Sequence, residues 1–190
     1  MNFSPENLAC PLRLTTQSPM KLYALRHADA ADHDDPRFDN DADRPLTIKG
    51  VRRAKLLAHA LRQWEITFDA ILSSPLVRTR ETAEMVMRGL RLQGKLELTE
   101  HLAPSGDVEK LLNRLNTLRP APKNALLVGH EPYLSNLISL LCAGGPNLAL
   151  TLKKGGLCRM EVAQLHSARC AHLEWLLAPR LLGSNRTKRG

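Results

Sequence analysis

The chain has 190 residues, of which 43% are hydrophobic and 24% charged, with a formal net charge of +8. These proportions belong to a folded domain rather than a disordered chain, and at this length roughly 70% of the unfolded surface can be buried. No window approaches 18 consecutive apolar residues, and "MNFSPENLACPLRLTTQSPM" has no apolar signal core, so no membrane span and no secretion are expected, and the cytoplasm is the expected location.

The basic residues are scattered along helical stretches, apart from a small run in "RLLGSNRTKRG". No aromatic stacking platform accompanies them, so they predict a surface that attracts anionic substrates rather than nucleic acid. Cys10, Cys142, Cys158 and Cys170 show no C-x-x-C spacing and read as reduced thiols.

Residues 1–19 carry proline breaks and no periodicity, which predicts a disordered extension. The domain is expected over 20–182, with a flexible basic tail over 183–190. Met20 opens the domain and is a candidate translation start. "LYAL" (Leu22–Leu25) is a short apolar run of the kind buried in a parallel sheet, and it stops on Arg26-His27. Seven aspartates between 29 and 43, with a proline among them, predict a solvated surface loop. From Thr47, a plausible N-cap, Val51, Ala54, Leu57, Ala58 and Leu61 fall on one helical face. "DAILSSP" predicts a second strand, with Ser74-Pro75 opening the helix "LVRTRETAEMVMRGL". "LELTEHLAP" reads as strand and loop, and Asp107 as the cap of "VEKLLNRLNTL". "NALLVGHEP" repeats the first design, with a strand over Ala125–Val128 stopping on Gly129-His130 before the helix "YLSNLISLLC". "LCRMEV" and "HLEWLL" alternate like paired strands.

Strands alternating with helices predict an α/β fold with a mostly parallel sheet. Ligands of such sheets bind beyond the carboxyl ends of the strands. Three of these ends carry Arg26-His27, Ser73-Ser74-Pro75 with Arg78 close behind, and Gly129-His130. Two histidines with arginines suit a phosphoryl group: a neutral imidazole can attack phosphorus, and guanidinium forks can hold its oxygens.

In this order, "LYALRHADA", "RPLTIKG", "SSPLVRTRETAE" and "LLVGHEPYLSNLISLL" resemble the motifs of the histidine phosphatase superfamily. The short length, "RPLT" and "GHEP" are similar to its phosphohistidine phosphatase SixA branch. The resemblance implies a phosphoglycerate mutase-like three-layer α/β/α fold and a phosphatase working through a covalent phosphohistidine. It implies His27 as nucleophile, Arg26, Arg78 and His130 around the phosphoryl group, and Arg44 as a further substrate contact; Arg44 could alternatively pair with the aspartate loop. Ala28 departs from the glycine of the superfamily signature.

The implied substrate is a phosphorylated protein, such as a histidine phosphotransfer domain of a phosphorelay. A sugar or nucleotide phosphate is the alternative within the class, and a catalytically silent phosphoprotein-binding module the alternative outside it. The general acid is open among Glu100, Asp107 and Asp29, with Glu100 the first candidate. "DNDADR" fails as a calcium loop because Arg44 and Gly50 stand where glycine and glutamate are required. No metal and no cofactor is expected.

Overall fold

A computed structural model describes residues 19–183. Apart from Pro19 and Gly183, the expected extension and basic tail lie outside the described residues, as does Cys10. Six strands form one sheet in the order β3-β2-β4-β1-β5-β6. They are β1 (Met20–Arg26), β2 (Ala70–Ser73), β3 (Leu96–Leu98), β4 (Asn124–Gly129), β5 (Leu157–Val162) and β6 (Ala171–Leu177). The first four in sheet order run parallel, and β5 and β6 add an antiparallel edge.

Side chains alternate across β1, so Leu22 and Ala24 enter one core and Tyr23 and Leu25 the other. Burial on both faces explains why this strand reads as an unbroken apolar run. On one face α1 (Ile48–Gln63) and α2 (Val77–Leu90) contribute Leu57, Leu61, Ala83 and Val86. On the other, α3 (Val108–Thr117) and α4 (Tyr133–Ala143) contribute Leu111, Leu115, Leu134 and Leu137. The layers are therefore helices, sheet, helices, as expected. No described helix is long and apolar enough to cross a membrane.

Two caps form as their residues predict: Thr47 accepts from the Gly50 amide at 3.1 Å, and Asp107 from the Lys110 amide at 3.0 Å. Other boundaries shift. The first strand includes Arg26, because its backbone continues to pair with Gly129 of β4. Val51 is only half-buried, at the rim of the α1 face. Helix α2 starts at Val77, not at Pro75, and Ser74 does not cap it, since its hydroxyl faces His130. The aspartate segment is not simply solvated. Asn40 caps a short 3-10 turn over Asp41–Asp43, and Asp41 points inward. Cys142, Cys158 and Cys170 are free thiols.

Candidate active site

The sheet order brings three strand ends together. Arg26 lies opposite Gly129, and Ser73 opposite Val128. Pairing extends one residue further, with the His27 amide donating to Gly129 O at 3.0 Å and the Ser74 amide to Val128 O at 3.0 Å. His27, Ser74 and His130 thus leave three neighbouring strands side by side.

The His27 and His130 rings face each other with centroids 5.3 Å apart. Both are almost fully buried. Burial, which disfavours the charged ring, is the main reason that each pKa falls from 6.5 to about 3; neighbouring Arg78 and Arg26 act in the same direction. Both rings are consequently neutral at physiological pH. His27 Nδ1 is 2.7 Å from its neighbour's carbonyl, Ala28 O, which only a protonated Nδ1 can use as a hydrogen bond. The lone pair therefore sits on Nε2. Ala28 is itself held by Thr82, whose Oγ1 accepts the Ala28 amide at 3.1 Å. His130 Nε2 shares a 2.9 Å hydrogen bond with Ser74 Oγ.

The arginines are placed by partners that the motifs alone do not reveal. Arg78, 4% exposed, donates Nη1 to Asp41 O at 2.7 Å and Nη2 to Asp41 Oδ2 at 2.8 Å. Arg44 donates Nε to Asp41 Oδ1 at 2.9 Å and also reaches Ala31 O. One carboxylate thus clamps two guanidinium groups, and their charges hold it below the ordinary carboxylate pKa against the opposing effect of burial. This clamp occupies the terminal edge of the Arg78 fork. The remaining Nε of Arg78 is buried without a partner.

Arg26 donates Nη1 to Leu152 O at 2.9 Å, and its Nε too is buried and unpaired. Leu152 is fixed in turn by Glu131, whose Oε1 accepts the Leu152 amide at 3.1 Å. Two buried guanidinium N–H groups without an acceptor among the described residues suit an incoming anion.

Of the expected residues, Arg26, His27, Arg78 and His130 meet in one crevice. Arg44 joins them through Asp41: the alternative to its expected role as a substrate contact, pairing with the aspartate loop, is the interaction the structure shows. The three general-acid candidates separate. Asp107 is occupied in capping α3, and Asp29 is ion-paired with Arg53 and Lys49. Glu100 is exposed and its carboxylate has no partner among the described residues; it lies on the same rim, where the adjacent Thr99 amide bonds Ser73 O at 2.8 Å. Sequence reasoning missed Asp41 and Glu131. Asp41 lies one turn before Arg44, and Glu131 directly follows His130, so adjacency to a motif was the available signal. Among the described residues, no group of three or more His, Cys, Asp or Glu side chains could hold a metal ion.

A family model described as "Histidine phosphatase superfamily (branch 1)" matches residues 22–114. Phosphohistidine phosphatase SixA of Escherichia coli K12 is 31% identical over 128 residues, covering 66% of this chain and 76% of that one. The chain belongs to the histidine phosphatase superfamily. An uncharacterised protein of Picosynechococcus is 40% identical over 139 residues, covering 73% of this chain and 82% of its own. The solved structure of protein histidine phosphatase SixA complexed with tungstate superposes with a TM-score of 0.74 at 27% identity, covering 86% of this chain and 99% of that one. Within the superfamily the chain stands in the SixA branch and has the phosphoglycerate mutase-like fold.

Proposed function

We propose that the chain is a protein phosphohistidine phosphatase in which His27 Nε2 takes up the phosphoryl group. The observation that carries this is the state of His27: a neutral ring with its Nδ1 proton committed to Ala28 O and its Nε2 free, beside Arg26 and Arg78, whose Nε groups are buried and have no partner among the described residues. The Nε2 lone pair forms a bond to phosphorus as the bond from phosphorus to the substrate imidazole breaks. Arg26 and Arg78 neutralise the equatorial oxygens, Asp41 holds Arg78 and Arg44 in place, and His130 lines the opposite side. Water then attacks phosphorus, breaking its bond to His27 and releasing inorganic phosphate.

A phosphohistidine substrate suits a site in which, of the three general-acid candidates, only exposed Glu100 has a carboxylate without a partner among the described residues. A leaving imidazole, once protonated, departs as a neutral ring, and its conjugate acid has a pKa of about 6.5. An alkyl alcohol needs general-acid help worth roughly 10²–10⁴-fold. The substrate class is thus phosphohistidine on a signalling protein, in the cytoplasm, with catalysis independent of metal.

The test is brief exposure to a labelled phosphoramidate, followed by assay for acid-labile label on the protein. Label should appear on the wild type and vanish in His27→Ala, and excess EDTA should leave turnover unchanged. A clear preference for a sugar phosphate that collapses in Glu100→Gln would replace this reading with a metabolite phosphatase.

A further inference from the structure

Arg26 also lines a cavity of about 580 Å³ between the end of β6 and the loop over 151–154. Arg53, Lys153, Lys154 and Arg180 line it, with Leu176 supplying apolar surface. The one acidic residue in its wall, Asp29, is already paired with Arg53 and Lys49. Lys153, Lys154 and Arg180 are exposed and form no ion pair among the described residues. Their loop is bolted to the first motif: the Gly155 amide donates to Arg26 O and His27 O, at 3.1 and 3.0 Å, and Gly156 O accepts the Arg26 amide at 3.1 Å. The lysines therefore stand at a fixed reach from the nucleophile, and the charge of Lys154 is felt at the His27 ring.

The transferred phosphoryl group has its own cations in Arg26 and Arg78. Three unpaired charges beyond them fit negative charge elsewhere on the substrate. The form of the surface suggests which kind of substrate. Lysines on flexible stems are point charges rather than phosphate-shaped forks. Leu176 lies beside them 43% exposed, as in a protein-binding surface with an apolar part and a charged rim.

We infer that this basic cavity docks an acidic, partly apolar protein surface, and that carboxylates flanking the phosphohistidine select the substrate. The inference rests on the phosphohistidine reading. It is tested with three peptides of equal length, each with one phosphohistidine flanked by Glu, by Gln or by Lys, together with a small phosphoramidate.

Wild type should favour the Glu-flanked over the Gln-flanked peptide by about tenfold in kcat/KM at low salt, and the Lys-flanked peptide should be poorest; high salt should erase the order. The double variants Lys153→Gln/Arg180→Gln and Lys153→Glu/Arg180→Glu should lose the preference stepwise while turning over the phosphoramidate at the wild-type rate. Equal rates for the three peptides, or a preference that survives charge reversal, would overturn the docking surface. So would indifference to the peptides with a variant-sensitive gain for a small bisphosphate, which would make the cavity a metabolite subsite. If wild type turns over the phosphoramidate but shows no peptide order, only the docking inference fails; if it turns over neither phosphoramidate nor peptides, the phosphohistidine reading falls first.

Discussion

At the scale of single residues the site is defined by what each charged group already holds. Asp41 takes the terminal edge of Arg78 and leaves Nε for a ligand. Replacing Arg78 with Lys keeps the charge but removes the fork, and a loss on the order of 10²-fold in kcat is expected, as for deletion of an oxyanion donor. Asp41→Ala frees the same guanidinium to swing. Misplacement by about 1 Å is enough for a loss approaching 10²-fold, so the variant should lose kcat and bind inorganic phosphate, the expected product, more weakly. Tighter phosphate binding in Asp41→Ala would instead identify Asp41 as a competitor for the phosphoryl position.

The two histidines also make the fold acid-sensitive. Each ring has a pKa of about 3 when folded, against 6.5 in an unfolded chain. Below pH 6.5 the unfolded chain therefore takes up protons that the folded one refuses. Stability falls as pH drops from about 6.5 towards 3, at up to about 1.4 kcal/mol per pH unit for each ring. Urea midpoints measured across this range should show a shallower slope in His130→Gln than in the wild type.

At the scale of elements, the entry to α1 shows how tightly the aspartate segment is held. A Cβ on Gly50 would lie 2.0 Å from Asp29 O, a backbone atom that also accepts the Thr47 amide at 2.9 Å. Helix propensity favours Ala over Gly by about 1 kcal/mol. Overpacking against immovable backbone costs roughly 1–3 kcal/mol or more. The clash wins, so Gly50→Ala should lower the urea midpoint despite its better propensity, and unchanged or raised stability would contradict this packing. The same approach packs the start of α1 directly against the residues after His27.

At the scale of the molecule, the chain carries a formal charge of +8, and Arg53, Lys153, Lys154 and Arg180 stand near Arg26 of the anion site. For a dianionic substrate, kcat/KM should fall as ionic strength rises, since screening shortens the range of attraction to about 10 Å at 0.1 M. Because Arg78 is buried and Arg26 half-buried, kcat should change much less. A salt-independent kcat/KM would show that the +8 charge does not steer substrate.

The periodic elements were legible because each is a local pattern: β1 and β4 as unbroken apolar runs, α1 and α3 from their Thr47 and Asp107 caps. So were Arg26, His27, Arg78 and His130, since each stands at or just beyond a strand end and strand ends of an α/β sheet converge. Helix α2 began later than expected because Ser74, a good cap by type, is drawn to His130 across 56 positions of sequence. Asp41 read as one solvated aspartate among seven, because its partner Arg78 is 37 residues away and meets it only once β2 has paired with β4. Sequence by itself determined the layers, the strand ends and the chemical types gathered there. Tertiary structure alone decided the protonation of the two histidines, the free edge of Arg78 and the lysines near Arg26, because burial and long-range pairing depend on sheet order, which no local pattern carries.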